Sequence, residues 1–216
     1  MVGWRVYRGV NGEFSVLGDG SVADLVVASR AGDLDAEARL ARRAAGRALR
    51  TAAMALGDLE AGRDVSQEVA VRAIQGLSRL RDPDRFDAWV SRIIVGEVRR
   101  ALGRRRRRAE VPLIAELADD RADRGDPSVR LFATVELRAA LAELSVRERT
   151  AIALRYVEDL DDRQIAAAMR CRPGTVRSLL TRARSRLRAN PALAEHDLAR
   201  TIAGQSPEPD LNRGVR

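Results

Sequence analysis

Apolar residues recur at helical spacing along most of the chain, and the breaks between the periodic segments divide it. From Asp24 the pattern predicts a short helix, a break at Ala31-Gly32-Asp33, and a long alanine-rich helix ending near Gly57. The inward stripe of that long helix reads Leu34, Ala38, Ala41, Ala45, Ala48, Ala52 and Leu56. A further helix is expected to begin at Asp64-Val65-Ser66-Gln67-Glu68-Val69 and to run to about Leu80, where Asp82-Pro83 interrupts the pattern. Phe86, Trp89, Val90, Ile93 and Ile94 make the strongest apolar patch, and they head a helix that continues through Arg99 and Arg100 into the run Arg104 to Arg108. An aromatic at this spacing is core more often than a base-stacking platform, so Trp89 reads first as core.

Periodicity then lapses. Residues 109–128 carry six acids and two arginines with Pro112, Gly125 and Pro127, the composition of a linker. A helix over 129–144 turns Leu131, Val135, Leu137, Leu141 and Leu144 inward. Ser145, with Glu148 three residues later, predicts a capping box for the next helix, which packs through Ile152, Leu154, Tyr156 and Val157. At the N-terminus, Trp4, Val6, Val10, Phe14 and Val16 alternate loosely around Asn11-Gly12, the signal of a small hairpin or a flexible arm. Beyond Asn190-Pro191 a short helix over 193–202 and an unstructured tail are expected.

The most informative stretch is LDDRQIAAAMRCRPGTVRSLLTRARSRLR, residues 160–188. Asp161 or Asp162 can cap a brief helix carrying Ile165, Ala166 and Met169 on one face. A polar break at Arg170, Cys171 and Arg172 follows, and Pro173-Gly174 opens a second helix, where a missing amide hydrogen does no harm. Val176, Leu179, Leu180, Ala183 and Leu187 form its apolar stripe. Its other face is cationic, with seven arginines and no acid from Arg170 to Arg188. Guanidinium forks suit phosphates and guanine edges, and small hydroxyl residues near the helix start let the backbone approach a major groove. The pattern is that of a helix-turn-helix unit that binds DNA.

Composition narrows the class further. Hydrophobic residues make up 45% of the 216, but aromatics only 3%, so the core is built from Ala, Leu, Val and Ile, which favours close-packed helices. The expected fold is all-α: two small helical domains joined by an acidic linker, the second a helix-turn-helix domain. Their boundaries fall at 21–108 and 129–189, flanked by an extension over 1–20 and a tail over 190–216. All 39 basic residues are arginine and outnumber 31 acids, for a net charge of +8. The clusters at Arg99 to Arg108 and Arg170 to Arg188 fit a nucleic-acid partner better than a membrane surface.

One cysteine, Cys171, permits no intrachain disulfide and no zinc cluster, and it reads as a small packing residue. The lone His196 reads as a surface residue. No metal site, cofactor, catalytic carboxylate pair or activated nucleophile is apparent, so an enzyme is not expected. No run reaches the length of a membrane span, and no signal-peptide pattern opens the chain, so the expectation is a soluble cytoplasmic protein.

Residues 144–188, with LSVRERTAIALRYVEDLDDRQIAAAM before the turn and GTVRSLLTRARSRL after it, closely resemble the C-terminal promoter-reading domain of bacterial sigma factors, in particular the extracytoplasmic-function group. The resemblance implies that Arg172, Thr175, Arg177, Ser178 and Arg182 contact the minus-35 promoter element. DVSQEV and FDAWVSRIIVGEVRRALGRRRRR resemble the other, DNA-melting domain of that family. By position, Asp64, Gln67 and Glu68 would face RNA polymerase, while Trp89, Arg92, Arg99 and Arg100 would lie on or behind the surface that handles the minus-10 element. A cationic groove with pockets for unstacked bases suits a separated strand. The chain departs from the family at Gly96, where a polar Asn is usual, at Ser91, where an aromatic is expected, and at Ala38 and Ala44 in place of early aromatic core positions.

The implied partners are core RNA polymerase and promoter DNA, and such proteins often have an anti-sigma factor. Two other readings remain open at this point. One is a free-standing helix-turn-helix regulator whose first half serves dimerisation or sensing. The other is a structural helical adaptor whose arginines reflect genomic bias.

Overall fold

A computed structural model of the chain describes residues 5–8, 14–17, 21–109 and 135–191. Strands β1 (Arg5–Arg8) and β2 (Phe14–Leu17) form an antiparallel hairpin with Val6 opposite Val16. Everything else with regular structure among the described residues is helical: α1 (Val22–Arg30), α2 (Leu34–Leu56), α3 (Leu59–Gly76), α4 (Phe86–Ala109), α5 (Val135–Ala142), α6 (Val146–Tyr156), α7 (Asp162–Met169) and α8 (Pro173–Ala189). Single 3-10 turns at Leu77–Arg79 and Pro83–Arg85 join α3 to α4.

The boundaries follow from capping. Ser21 and Asp24 close a capping box on α1, and Asp33 accepts from the amides of Asp35 and Ala36 at the start of α2. Gly57, at φ 69°, ends α2 in the left-handed conformation that glycine adopts without strain. Asp58 then accepts from the amide of Ala61, so α3 starts at Leu59 rather than at the expected Asp64. It also stops early, at Gly76, because the chain tightens there into a 3-10 turn.

The buried stripe of α2 is Ala36, Leu40, Ala44, Ala48, Ala52 and Ala55, with Leu56. The expected register is therefore corrected: Leu34 is 77% exposed, and Ala38, Ala41 and Ala45 are only half-buried. Alanine at so many positions fits several faces equally, and the larger Leu40 decides which one turns inward. Against this stripe pack Val65, Val69 and Ala73 of α3 and Phe86, Val90, Ile94 and Val98 of α4. Removing Phe86 or Leu40 from water contributes roughly 1.5–3 kcal/mol each. The small residues let the helices approach closely, and Gly62 lies so near α2 that a methyl group there would meet the Cβ of Ala53 at 2.8 Å.

The second half closes its own core from Ile152 and Leu154 of α6, Ile165 and Met169 of α7, and Val176, Leu179, Leu180, Ala183 and Leu187 of α8. Leu141 and Leu144 join it as expected, whereas the side chains of Leu131, Val135 and Leu137 lie outside the described residues. The expected segment over 193–202 also lies outside them. The two halves meet: Ala53, Met54 and Val95 belong to the same apolar cluster as the second half.

Candidate nucleic-acid interface

Helices α7 and α8 form the turn unit that the spacing predicts. Asp161 caps α7, accepting from the amides of Arg163 and Gln164, while the Gln164 side chain accepts from the amide of Asp161 at 2.8 Å. Arg170 ends α7 at φ 52°, and Arg172 precedes α8, whose first residue is Pro173. All five expected apolar residues of α8 are buried. That fixes the opposite face outward, where Arg172, Arg177, Ser178, Thr181, Arg182 and Ser185 are exposed and Thr175 is half-buried.

These outward residues are not equivalent. Arg182 is drawn sideways: its Nε lies 3.4 Å from Glu148 Oε1, and Arg186 Nη1 lies 3.2 Å from the other oxygen. Glu148 is the acid of the α6 capping box, with Ser145 Oγ donating to it at 2.7 Å. Burial opposes the charge of Glu148, but the Ser145 hydrogen bonds and the Arg186 and Arg182 cations outweigh it and leave its pKa lowered. The Ser178 hydroxyl donates back to the Gly174 carbonyl at 3.0 Å. Arg184 donates to the Tyr156 hydroxyl at 2.9 Å, with its guanidinium carbon 5.9 Å from that ring's centroid. Arg172 and Arg177 hold no ion pair with a described residue, which leaves their forks available at the start of the helix.

A second cationic surface runs along α4. A cleft of about 540 Å³ between α3 and α4 is lined by Arg72, Arg79, Trp89, Arg92, Gly96 and Arg100 among others, and Arg170 of the turn unit reaches its edge. Trp89 serves the core and the cleft together. Its ring packs over Gly76, where an added methyl would lie 2.9 Å from it, and beside Phe86 at 6.0 Å between centroids, while part of it faces the cleft. At Gly96 nothing approaches a built Cβ within 4 Å, so the missing Asn leaves open space.

The anchor of this surface is Glu97. Its side chain is 2% exposed and takes Nε of Arg72 at 2.7 Å and Nη1 of Arg100. Apolar periodicity gives no sign of it, although it is the sole acid between Ala88 and Ala109 and stands between the core residues Val95 and Val98. Arg92 is exposed, and its Nε is 3.5 Å from the Ala88 carbonyl. Arg99 donates across to the carbonyl of Met169 at the end of α7, the negative end of that helix.

On α3, Asp64, Gln67 and Glu68 are exposed on one face, and Glu68 is 3.6 Å from Arg72. Val71, 52% exposed, continues the same face at the i+7 position, an apolar residue that the motif does not mark. Ser91 is not a surface departure but a buried polar residue: its hydroxyl donates to the Asp87 carbonyl and accepts from Arg47, both at 3.0 Å. Among the described residues no helix is long and apolar enough to cross a membrane.

Comparison with known proteins follows this division. The family described as Sigma-70 region 2 matches residues 38–108, and that described as Sigma-70, region 4 matches residues 134–187. The chain is 30% identical over 139 residues to the RNA polymerase sigma-H factor of Pseudomonas aeruginosa, covering 59% of this chain and 71% of that protein. It is 33% identical over 132 residues to the ECF RNA polymerase sigma-E factor of Escherichia coli K12, covering 56% and 69%. With the ECF RNA polymerase sigma factor SigE of Mycolicibacterium smegmatis it shares 32% over 157 residues, 69% of this chain and 59% of the other. In structure it is similar to CnrH, solved in complex with the cytosolic domain of CnrY. The TM-score is 0.53 at 24% identity, covering 78% of this chain and 95% of that one, a likeness of fold.

Proposed function

The chain belongs to the sigma-70 family, within its extracytoplasmic-function group, and on that premise we propose that it binds core RNA polymerase and directs it to promoters by engaging minus-35 and minus-10 elements. The observation that carries this reading is the occurrence of regions 2 and 4 in one chain, in that order, each on a helical unit with an exposed arginine face. A free-standing regulator would have no need of region 2, and that alternative is not favoured.

In this reading the start of α8 enters the major groove of the minus-35 element, with Arg172 and Arg177 as forks and Thr175 and Ser178 allowing close approach. Arg182, held beside Glu148, meets the phosphate backbone at the groove's edge. Arg92, Arg99 and Arg100 hold the minus-10 strand along α4, and the cleft beside Trp89 accepts an unstacked base. Asp64, Gln67 and Glu68, with Val71, form the polymerase-facing surface of α3. We divide the chain at 21–108 and 129–189, with 109–128 as linker. The protein works in the cytoplasm, performs no chemistry itself, and takes an anti-sigma factor as a further partner.

The test is transcription in vitro from fragmented host DNA with purified chain and core polymerase, the starts being mapped by sequencing. Discrete starts with shared upstream motifs are expected. Failure to bind core polymerase would overturn the reading.

A further inference from the structure

The two halves of the chain are joined by a buried charge cluster that neither half needs for its own fold. Glu158 lies in the turn between α6 and α7, and its side chain is 1% exposed. It accepts from Nε and Nη2 of Arg47 on α2, whose side chain is 9% exposed, and from the Thr51 hydroxyl at 3.1 Å. The same guanidinium donates from Nη1 to Asp87 Oδ1 at 2.7 Å and from Nη2 to Ser91 Oγ at 3.0 Å. One acid of the second half therefore sits on a cation shared between α2 and α4 of the first. Asp159, next in the chain, takes a left-handed φ of 51°, a conformation that non-glycine residues adopt only when their surroundings impose it.

Ser91 gives this cluster a signature in the sequence. The hydroxyl at that position supplies an acceptor for Arg47, and an aromatic ring there would supply none. Two more ties run in parallel: Arg99 donates to the Met169 carbonyl, and Arg149 Nε donates to the Ala55 carbonyl at 2.9 Å. Arg170 closes one edge of the cleft on α4. The end of α7 and the turn after it thus rest on the surface assigned to the minus-10 strand.

This arrangement cannot serve both promoter elements at once. Their names place them about 25 base pairs apart, or about 85 Å at 3.4 Å per pair. Here α4 and the end of α7 are within hydrogen-bond contact. About 25 residues separate Ala109 from Val135, and such a length can span at most ~85 Å, so the covalent connection permits the separation.

We propose that the structure is a self-latched state, in which Glu158 on Arg47 holds the helix-turn-helix half over the cationic face of α4, and that this latch opens before the chain engages a promoter. The functional consequence rests on the sigma-factor reading, but the latch itself is testable without polymerase or DNA.

The experiment is single-molecule energy transfer on the full chain, with dyes on Arg85→Cys and Ala189→Cys in a Cys171→Ser background. The free chain should show one high-transfer population, and Glu158→Arg should raise the ratio of low- to high-transfer molecules at least tenfold while the helical circular dichroism is unchanged. A free chain already in low transfer overturns the latch, as does a folded Glu158→Arg chain that stays in high transfer. Should Glu158→Arg fail to fold, the parent chain decides: transfer should fall when core polymerase and promoter are added. A chain that is latched alone, opens in Glu158→Arg and ignores polymerase upholds the latch and overturns the sigma-factor reading instead.

Discussion

The guanidinium of Arg149 donates to the Ala55 carbonyl at 2.9 Å, and through Nη1 to the carbonyls of Leu141 and Leu144 at 3.0 and 3.2 Å. One side chain of α6 thereby satisfies carbonyls at the C-terminal ends of α2 and α5, where helix ends carry unpaired acceptors and partial negative charge. Burial, with Arg105 nearby, lowers its pKa from the ordinary arginine value without discharging it at neutral pH. Arg149→Leu should cost roughly 1–3 kcal/mol, the penalty for stranding buried acceptors. Arg149→Lys should recover little, because a single ammonium cannot fork between two helix ends. Urea unfolding midpoints of the three proteins measure this, and equal midpoints would refute it.

Gly62→Ala is expected to destabilise the first half by about 1–3 kcal/mol, the usual cost of overpacking. The added methyl would meet Ala53 Cβ at 2.8 Å and its backbone at 3.0 Å, so α2 and α3 must move apart. Gly103→Ala has only the flexible Arg107 tip within reach, at 3.8 Å, and should be neutral or slightly stabilising. Thermal midpoints of the two variants should move apart in that order.

Acid should unfold the chain through Asp87 and Glu148. Asp87 is opposed by burial but held below its ordinary pKa by the Arg43 hydrogen bond and by Arg47, and Glu148 is lowered by Ser145 and the arginines of α8. Groups depressed in the folded state contribute stability that is present above the unfolded values, near 3.9 and 4.3, and lost as pH falls through the folded ones. Asp87→Asn and Glu148→Gln should be less stable than the parent at pH 6 and converge on it below about pH 4. A constant difference from pH 6 to pH 3 would show that neither carboxylate is linked to folding.

In the recognition helix, Arg177→Ala should weaken promoter-directed transcription and leave polymerase binding intact. Removing a hydrogen-bonded fork from a base edge costs about 1–3 kcal/mol, and removing one from a phosphate lowers the salt slope of binding by about one. Arg182→Ala should also weaken transcription, but it removes an ion pair with Glu148 as well, so its melting temperature should fall with salt-sensitive magnitude. Equal loss of polymerase binding in either variant would sink the assignment to DNA.

The helix-turn-helix unit is legible almost residue by residue, because capping and a fixed apolar stripe leave α7 and α8 little choice. Asp161, Pro173 and the five apolar residues of α8 sit where spacing puts them. The face of α2 is not legible, since a run of alanines contains no contrast from which to read an orientation. Glu97 and Ser91 escape periodicity for a related reason. A buried polar residue is explained by its partners, and Arg47 lies 44 positions from Ser91 along the chain. Periodicity sees only neighbours on the same element.

Glu97 also bears on how quickly α4 can capture a strand. An arginine brush on a helix normally samples many rotamers, and binding must freeze each one that touches the ligand. Arg72 and Arg100 are instead moored to one buried carboxylate, so their freedom is lost when the protein folds rather than when nucleic acid arrives. An incoming strand meets a charge lattice with its spacing already set, and only the untethered Arg92 must still settle around it.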